Sequence, residues 1–201
     1  MPLYPDNMHL KPEAFIAQIN RLEQIYAAMD RAYTAVADTY GFQCNGCEDN
    51  CCLTRFYHHT YLEYLCLLKG YRSLGEQQRI DIRIKAESVC STLRRADVEK
   101  GGRPPRLMCP LNFDGRCCLY HQRPMICRMH GLPHELHRPD GGSVQGPGCA
   151  YCENRCGDKA TVLFDRTPFY HDMARLEREL RQLIDSGAKI KMTVAEMILA
   201  F

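Results

Sequence analysis

Apolar residues at Phe15, Ile19, Leu22, Tyr26, Met29, Tyr33, Val36 and Tyr40 recur with alternating spacings of four and three. Only a helix keeps such a series on one side, so the pattern predicts a helix over 12–40. Pro12 suits its first turn and Gly41 its end. At 1.5 Å per residue this helix is about 40 Å long. A second helix is predicted from His59 to Lys69, closed by Gly70. A third runs over 74–100 with Ile82, Ala86, Val89, Leu93 and Ala96 in the same rhythm, and Gly101-Gly102 ends it. Phe169, Met173, Leu176, Leu180 and Leu183 define a fourth over 167–185, and a short helix over 193–199 closes the chain. The predicted fold is therefore mainly α: one domain, 1–201, built as a bundle of three long helices plus short ones, its scaffold lying in 12–40, 59–100 and 167–200. The stripes admit a second reading as an exposed coiled-coil seam. Mutual packing is the simpler account, because three stripes of similar length can satisfy one another.

Segments 41–58 and 101–166 hold most of the glycine and proline and show no sustained period, so they are predicted as loops. A loop of more than sixty residues inside one domain needs some other source of order. All of the 13 cysteines except Cys66 and Cys90 lie in these two segments. Bound metal would supply the order: structural zinc contributes about 10–16 kcal/mol in small peptides, enough to offset chain entropy that missing secondary structure leaves uncompensated.

Composition narrows the class. Charged residues are 25% and hydrophobic residues 45%, which fits neither a disordered nor a membrane-embedded chain. Lys plus Arg is 26 against Asp plus Glu at 24, so a general attraction to nucleic acid or acidic membranes is not expected. The N-terminal residues lack the basic and apolar pattern of a secretory signal, and no apolar run approaches the length of a membrane span. An odd cysteine count and the vicinal pairs Cys51-Cys52 and Cys117-Cys118 speak against a secreted disulfide scaffold. The expectation is a cytoplasmic protein with reduced thiols.

The loop cysteines form three groups: Cys44, Cys47, Cys51 and Cys52; Cys109, Cys117, Cys118 and Cys127; and Cys149, Cys152 and Cys156. Two thiolates two residues apart across a tight turn converge on one soft cation, and a tetrahedral site takes its other ligands from elsewhere in the chain. Adjacent cysteines point apart, so Cys51 and Cys52 are not equivalent ligands of one ion; they serve two ions or one of them bridges. Cys66 and Cys90, on predicted helices, are expected in the core or on the helix surface. Arg103, Arg106, Arg116, Arg123, Arg128 and Arg155 flank the cysteines. They either stabilise an anionic thiolate site or are occupied by solvent and carboxylates. His58, His59, His121, His130, His134 and His137 are further candidate ligands, with His130, three residues after Cys127, the foremost.

The run Cys118-Leu119-Tyr120-His121-Gln122-Arg123-Pro124-Met125-Ile126-Cys127-Arg128, with Cys44/Cys47/Cys51/Cys52 and Cys109-Pro110 before it, resembles the YkgJ-like cysteine-cluster family, named for chelation of zinc or iron. The family pattern is Cys-x2-Cys-x2-Cys-Cys, a Cys-Pro, and Cys-x-Tyr-x2-Arg-Pro-x2-Cys-Arg. The resemblance implies ligand roles for Cys44, Cys47, Cys51, Cys52, Cys109, Cys118 and Cys127, with Tyr120, Arg123 and Arg128 in support. Three residues rather than two separate Cys47 from Cys51, and Cys117, Cys149, Cys152 and Cys156 lie outside the pattern, which suggests a second site or a larger cluster. The chemistry of the supporting residues suggests Arg123 and Arg128 as donors around the sulfurs. Tyr120 either shields the site or packs in the core.

The first functional reading is a metal-binding protein that holds an iron–sulfur cluster or Zn2+, for electron transfer or cofactor delivery. The number of loop cysteines and the Cys109-Pro110 pair lean toward iron–sulfur. The second is an oxidoreductase or group-transfer enzyme using an open metal position or an arginine-activated thiolate at Cys117 or Cys52. The third is a zinc-stabilised interaction or RNA-binding module, which the near-neutral charge disfavours. No membrane partner is expected, and a protein partner is left open.

Overall fold

The structure, a computed structural model, describes residues 10–44, 50–98, 105–156 and 162–201, apart from the side chains of residues 98, 155 and 156. Within it the first stripe is helix α1 (Ile16–Thr39), entered by a 3-10 turn over Pro12–Phe15. Ile19, Leu22, Tyr26 and Met29 form its buried face. Gly41, at φ +59, takes the left-handed conformation that ends the helix without a Cβ clash.

Helix α2 (Tyr61–Arg72) begins two residues later than predicted, because the Thr60 side chain accepts the amide of Glu63 at 3.2 Å and caps it. It also continues past Gly70. That glycine serves close packing instead of termination: a Cβ there would lie 2.9 Å from Cγ of Gln122. Nearly every residue of α2 is buried, so this short helix is the centre of the core. Two of its first-turn amides, those of Tyr61 and Leu62, donate to the Glu177 carboxylate at 3.0 and 3.1 Å, which satisfies groups that a helix start leaves orphaned.

Glu177 lies on α6 (Thr167–Leu183), whose Phe169, Met173, Leu176 and Leu180 are buried. Helices α1, α2 and α6 pack on one another. Helix α3 (Glu76–Val98) differs from expectation. It packs chiefly against α7 (Val194–Leu199), a six-residue helix started by a capping box between Thr193 and Glu196, so the three long stripes do not satisfy one another as a single set. The architecture is mainly α with a small sheet component, and no described helix is long and apolar enough to cross a membrane.

The segment predicted as loop over 101–166 carries more backbone structure than its lack of period implied. Strands β1 (Asn112–Phe113) and β2 (Arg116–Cys117) form a hairpin whose two central residues, Asp114 and Gly115, both have positive φ. Asp-Gly is the pair that a primed two-residue turn selects. Strand β3 (His134–His137) pairs antiparallel with β4 (Ser143–Gly146) and parallel with β5 (Phe164–Asp165). Two short helices, α4 (Met125–Met129) and α5 (Ala150–Cys156), complete the region. Hydrogen-bonded strands and short helices therefore supply part of the order that a long loop without a period would need from bound metal. In 41–58 the described residues form a turn, with the Leu53 amide on the Asn50 carbonyl at 3.1 Å, and a two-way bridge between His58 and Met192.

Candidate metal centre

Two separate stretches of chain meet at the cysteines. The Cys109 amide donates to the Cys52 carbonyl at 2.7 Å, and the Cys52 amide donates to Oδ1 of Asn50 at 2.8 Å. The β1–β2 hairpin closes on this junction, with the Cys118 amide on the Leu111 carbonyl at 2.8 Å and the Asn112 amide on the Cys109 carbonyl at 2.9 Å. The main chain thereby holds Cys51, Cys52, Cys109, Cys117 and Cys118 in one neighbourhood. Helix α4 brings Cys127 to it.

A cavity of about 570 Å3 is bordered by Cys44, Cys51, Cys52, Cys117 and Cys127, together with Tyr33, Arg116, Tyr120, Arg123, Arg128 and His130. A smaller one of about 60 Å3 shares Cys51, Cys52 and Cys127, adds Cys109, and is otherwise lined by His58 and apolar side chains such as Phe56, Val89 and Leu93.

The thiols act on one another. Hydrogen-bond contact with Cys127, with burial and repulsion added, pushes Cys51 up to about 12. Contact with Cys51 pushes Cys52 up further, although Asn112 opposes the shift. Burial raises Cys109, Cys117 and Cys118, with Cys52 adding to each; Cys117 reaches about 12. Gathering several thiolates costs free energy that a bound soft cation would offset, so the donor set fits zinc or iron–sulfur chemistry in kind. It is not a closed cage: among the described residues no three His, Cys, Asp or Glu side chains converge in ligand geometry. The raised thiols also run against the expectation of an arginine-activated nucleophile. Burial outweighs Arg123 at Cys117, and among the described residues the causes that shift Cys52 are Cys51, burial and Asn112.

The supporting residues are arranged differently from the expectation. Arg128 is 4% exposed and donates through Nη1 to Oδ2 of Asp30 at 2.6 Å, through Nε to the Arg123 carbonyl at 3.0 Å, and through Nη2 to the His121 carbonyl. Its guanidinium also lies 4.0 Å over the Tyr26 ring. Arg123 reaches the other oxygen of Asp30 at 3.1 Å and stacks 3.7 Å over Tyr120. These two arginines therefore lace the Tyr120–Met129 stretch to α1 through a carboxylate instead of donating to sulfur. The Tyr120 ring is exposed and not part of the core.

The third cysteine group lies partly on a helix. Cys149 and Cys152 are buried at the start of α5; the Cys152 amide donates to Cys149 Sγ at 3.4 Å, and the Cys149 amide to the Gly131 carbonyl at 2.9 Å. Burial is the main cause that raises the Tyr33 hydroxyl, followed by Cys44, Cys149 and Cys152 in turn. Cys44 also raises Cys51. Cys47 and the Cys156 side chain lie outside the described residues. Cys66 and Cys90 are buried on α2 and α3, and neither lines either cavity.

Sequence reasoning missed Asp30, Asn112 and Glu63. Asp30 adjoins Met29 on the apolar flank of α1, where an acidic residue is unexpected. Glu63 is a carboxylate inside an otherwise apolar run, and that was the available signal. No family model, curated protein or solved structure matches the chain.

Proposed function

We propose that the protein binds a soft transition metal through clustered cysteines, as an iron–sulfur cluster or as Zn2+, and serves electron transfer or metal and cofactor handling. The observation that carries this reading is one cavity bordered by five cysteines from two separate stretches of the sequence. Cys51, Cys52 and Cys127 are the central ligands on this account, with Cys109, Cys117 and Cys118 beside them and Cys44, Cys47, Cys149, Cys152 and Cys156 as a further group. Membership of the YkgJ-like cysteine-cluster family and a reducing, cytoplasmic setting belong to the same proposal.

When bound, the metal or cluster supplies Lewis acidity or an electron reservoir. The chain's own part is to hold it. Main-chain hydrogen bonds fix the junction of Cys52 with Cys109, Arg123 and Arg128 fix the approach to Cys127, and apolar side chains line the smaller cavity.

The test compares metal per chain in Cys51→Ser, Cys127→Ser and Cys90→Ser proteins purified without oxygen. The first two lose bound metal and the third, a core thiol, keeps it. Equal metal content in all three would remove the assignment.

A further inference from the structure

His58 is 2% exposed, and its Nε2 has no hydrogen-bond partner among the described residues. A buried ring nitrogen left in this way carries its full desolvation cost, so something is expected to engage it. The backbone of residue 58 is well held. The His58 amide donates to the Met192 carbonyl at 2.7 Å and its carbonyl accepts the Met192 amide at 3.0 Å. Nδ1 stands 3.9 Å from Oε1 of Glu63. Glu63 is itself buried and fixed: Oε1 accepts the Met125 amide at 2.9 Å, and Oε2 accepts the Thr60 hydroxyl at 2.7 Å. Residue 58 borders the smaller cavity together with Cys51, Cys52, Cys109 and Cys127.

We propose that His58 is a nitrogen ligand, through Nε2, of the metal that these cysteines hold, giving a mixed thiolate and imidazole site that forms when the metal draws together described side chains that do not converge on one point beforehand. The inference rests on the metal-binding reading above. Glu63 is then a positioning residue that acts through its charge, since a carboxylate 3.9 Å from the far ring nitrogen, beyond hydrogen-bond length, favours a basic, ligating imidazole. The same carboxylate caps the first turn of α4, so it couples the imidazole to the helix that bears Cys127.

Cobalt(II) titrated without oxygen into the purified full chain tests this. Thiolate-to-cobalt charge transfer reports the cysteines, and the visible d–d bands report the complete donor set. His58→Ala keeps the charge transfer, shifts the d–d bands and weakens binding by about tenfold or more. Added imidazole restores the bands. Glu63→Gln weakens binding but leaves the band positions in place. His58→Gln, which fills more of the ring's volume, gives the same readout if the alanine variant fails to fold. Pulsed EPR of wild-type protein carrying 15N-histidine shows nitrogen coupled to cobalt. Unchanged d–d bands in a folded His58 variant, or no nitrogen coupling in the wild type, overturns the inference while leaving the thiolate site intact. Absence of charge transfer in the wild type overturns the metal-binding reading itself.

Discussion

Arg128 shows how much of the candidate centre depends on one buried cation. Its three donor positions go to Asp30 and to two carbonyls of the loop that precedes Cys127, and its face lies on Tyr26. Asp30→Ala removes the carboxylate that answers both Arg128 and Arg123. The Asp30 side chain is 41% exposed, which moderates the charge term, so the loss is about 2 kcal/mol, in the range of hydrogen bonds to charged groups. Chemical denaturation of the variant measures it. The same variant is expected to hold metal less tightly than the wild type, because the Tyr120–Met129 stretch loses its anchor to α1. These arginines were legible as part of the site, but their partner was not: Asp30 lies 98 residues from Arg128, and nothing local in the sequence pairs them.

At the scale of elements, α2 is the piece on which the others are assembled. Gly70→Ala places a Cβ 2.9 Å from Cγ of Gln122, and the Gln122 side chain at the end of the Tyr120–Gln122 turn must then give way. Destabilisation of about 1–3 kcal/mol is expected, with Gln122→Ala restoring most of it in the double variant. The other end of α2 depends on Glu177. Burial raises this carboxyl from 4.5 to about 7, against the pull of its two amides. The folded protein therefore binds this proton more tightly than the unfolded chain does. The contribution is fully favourable below about pH 4.5 and is lost as pH rises through about 7. Thermal melts across that window should show Glu177→Gln lacking the part of the pH slope that the wild type carries. Long periodic stripes made α1, α3 and α6 legible. The short strands were not, because two to four residues contain too little alternation to register as a period, although Asp114-Gly115 did carry a hairpin signal.

Across the whole molecule, a helical scaffold presents one irregular face on which distant cysteines meet. Spacing made the cysteines recognisable as a group. Their division was less accessible: six gather around the β1–β2 hairpin and α4, while Cys149 and Cys152 are buried at α5, with Cys44 acting on Cys51 and, like Cys149 and Cys152, on Tyr33. That division depends on how β3, β4 and α5 fold back on Gly131, a long-range arrangement with no local signature. It predicts that partial removal of metal by a chelator proceeds in two stages if both groups are loaded, with the thiols around Cys51 and those around Cys149 becoming open to alkylation separately.

Metal and acid-labile sulfide content of the full chain, purified without oxygen, tests the central claim most directly. The account predicts stoichiometric zinc without sulfide, or iron with matching sulfide and visible absorption, and in either case a lower melting temperature after chelation. Protein free of zinc and iron that melts cooperatively at a temperature unmoved by chelator would contradict it.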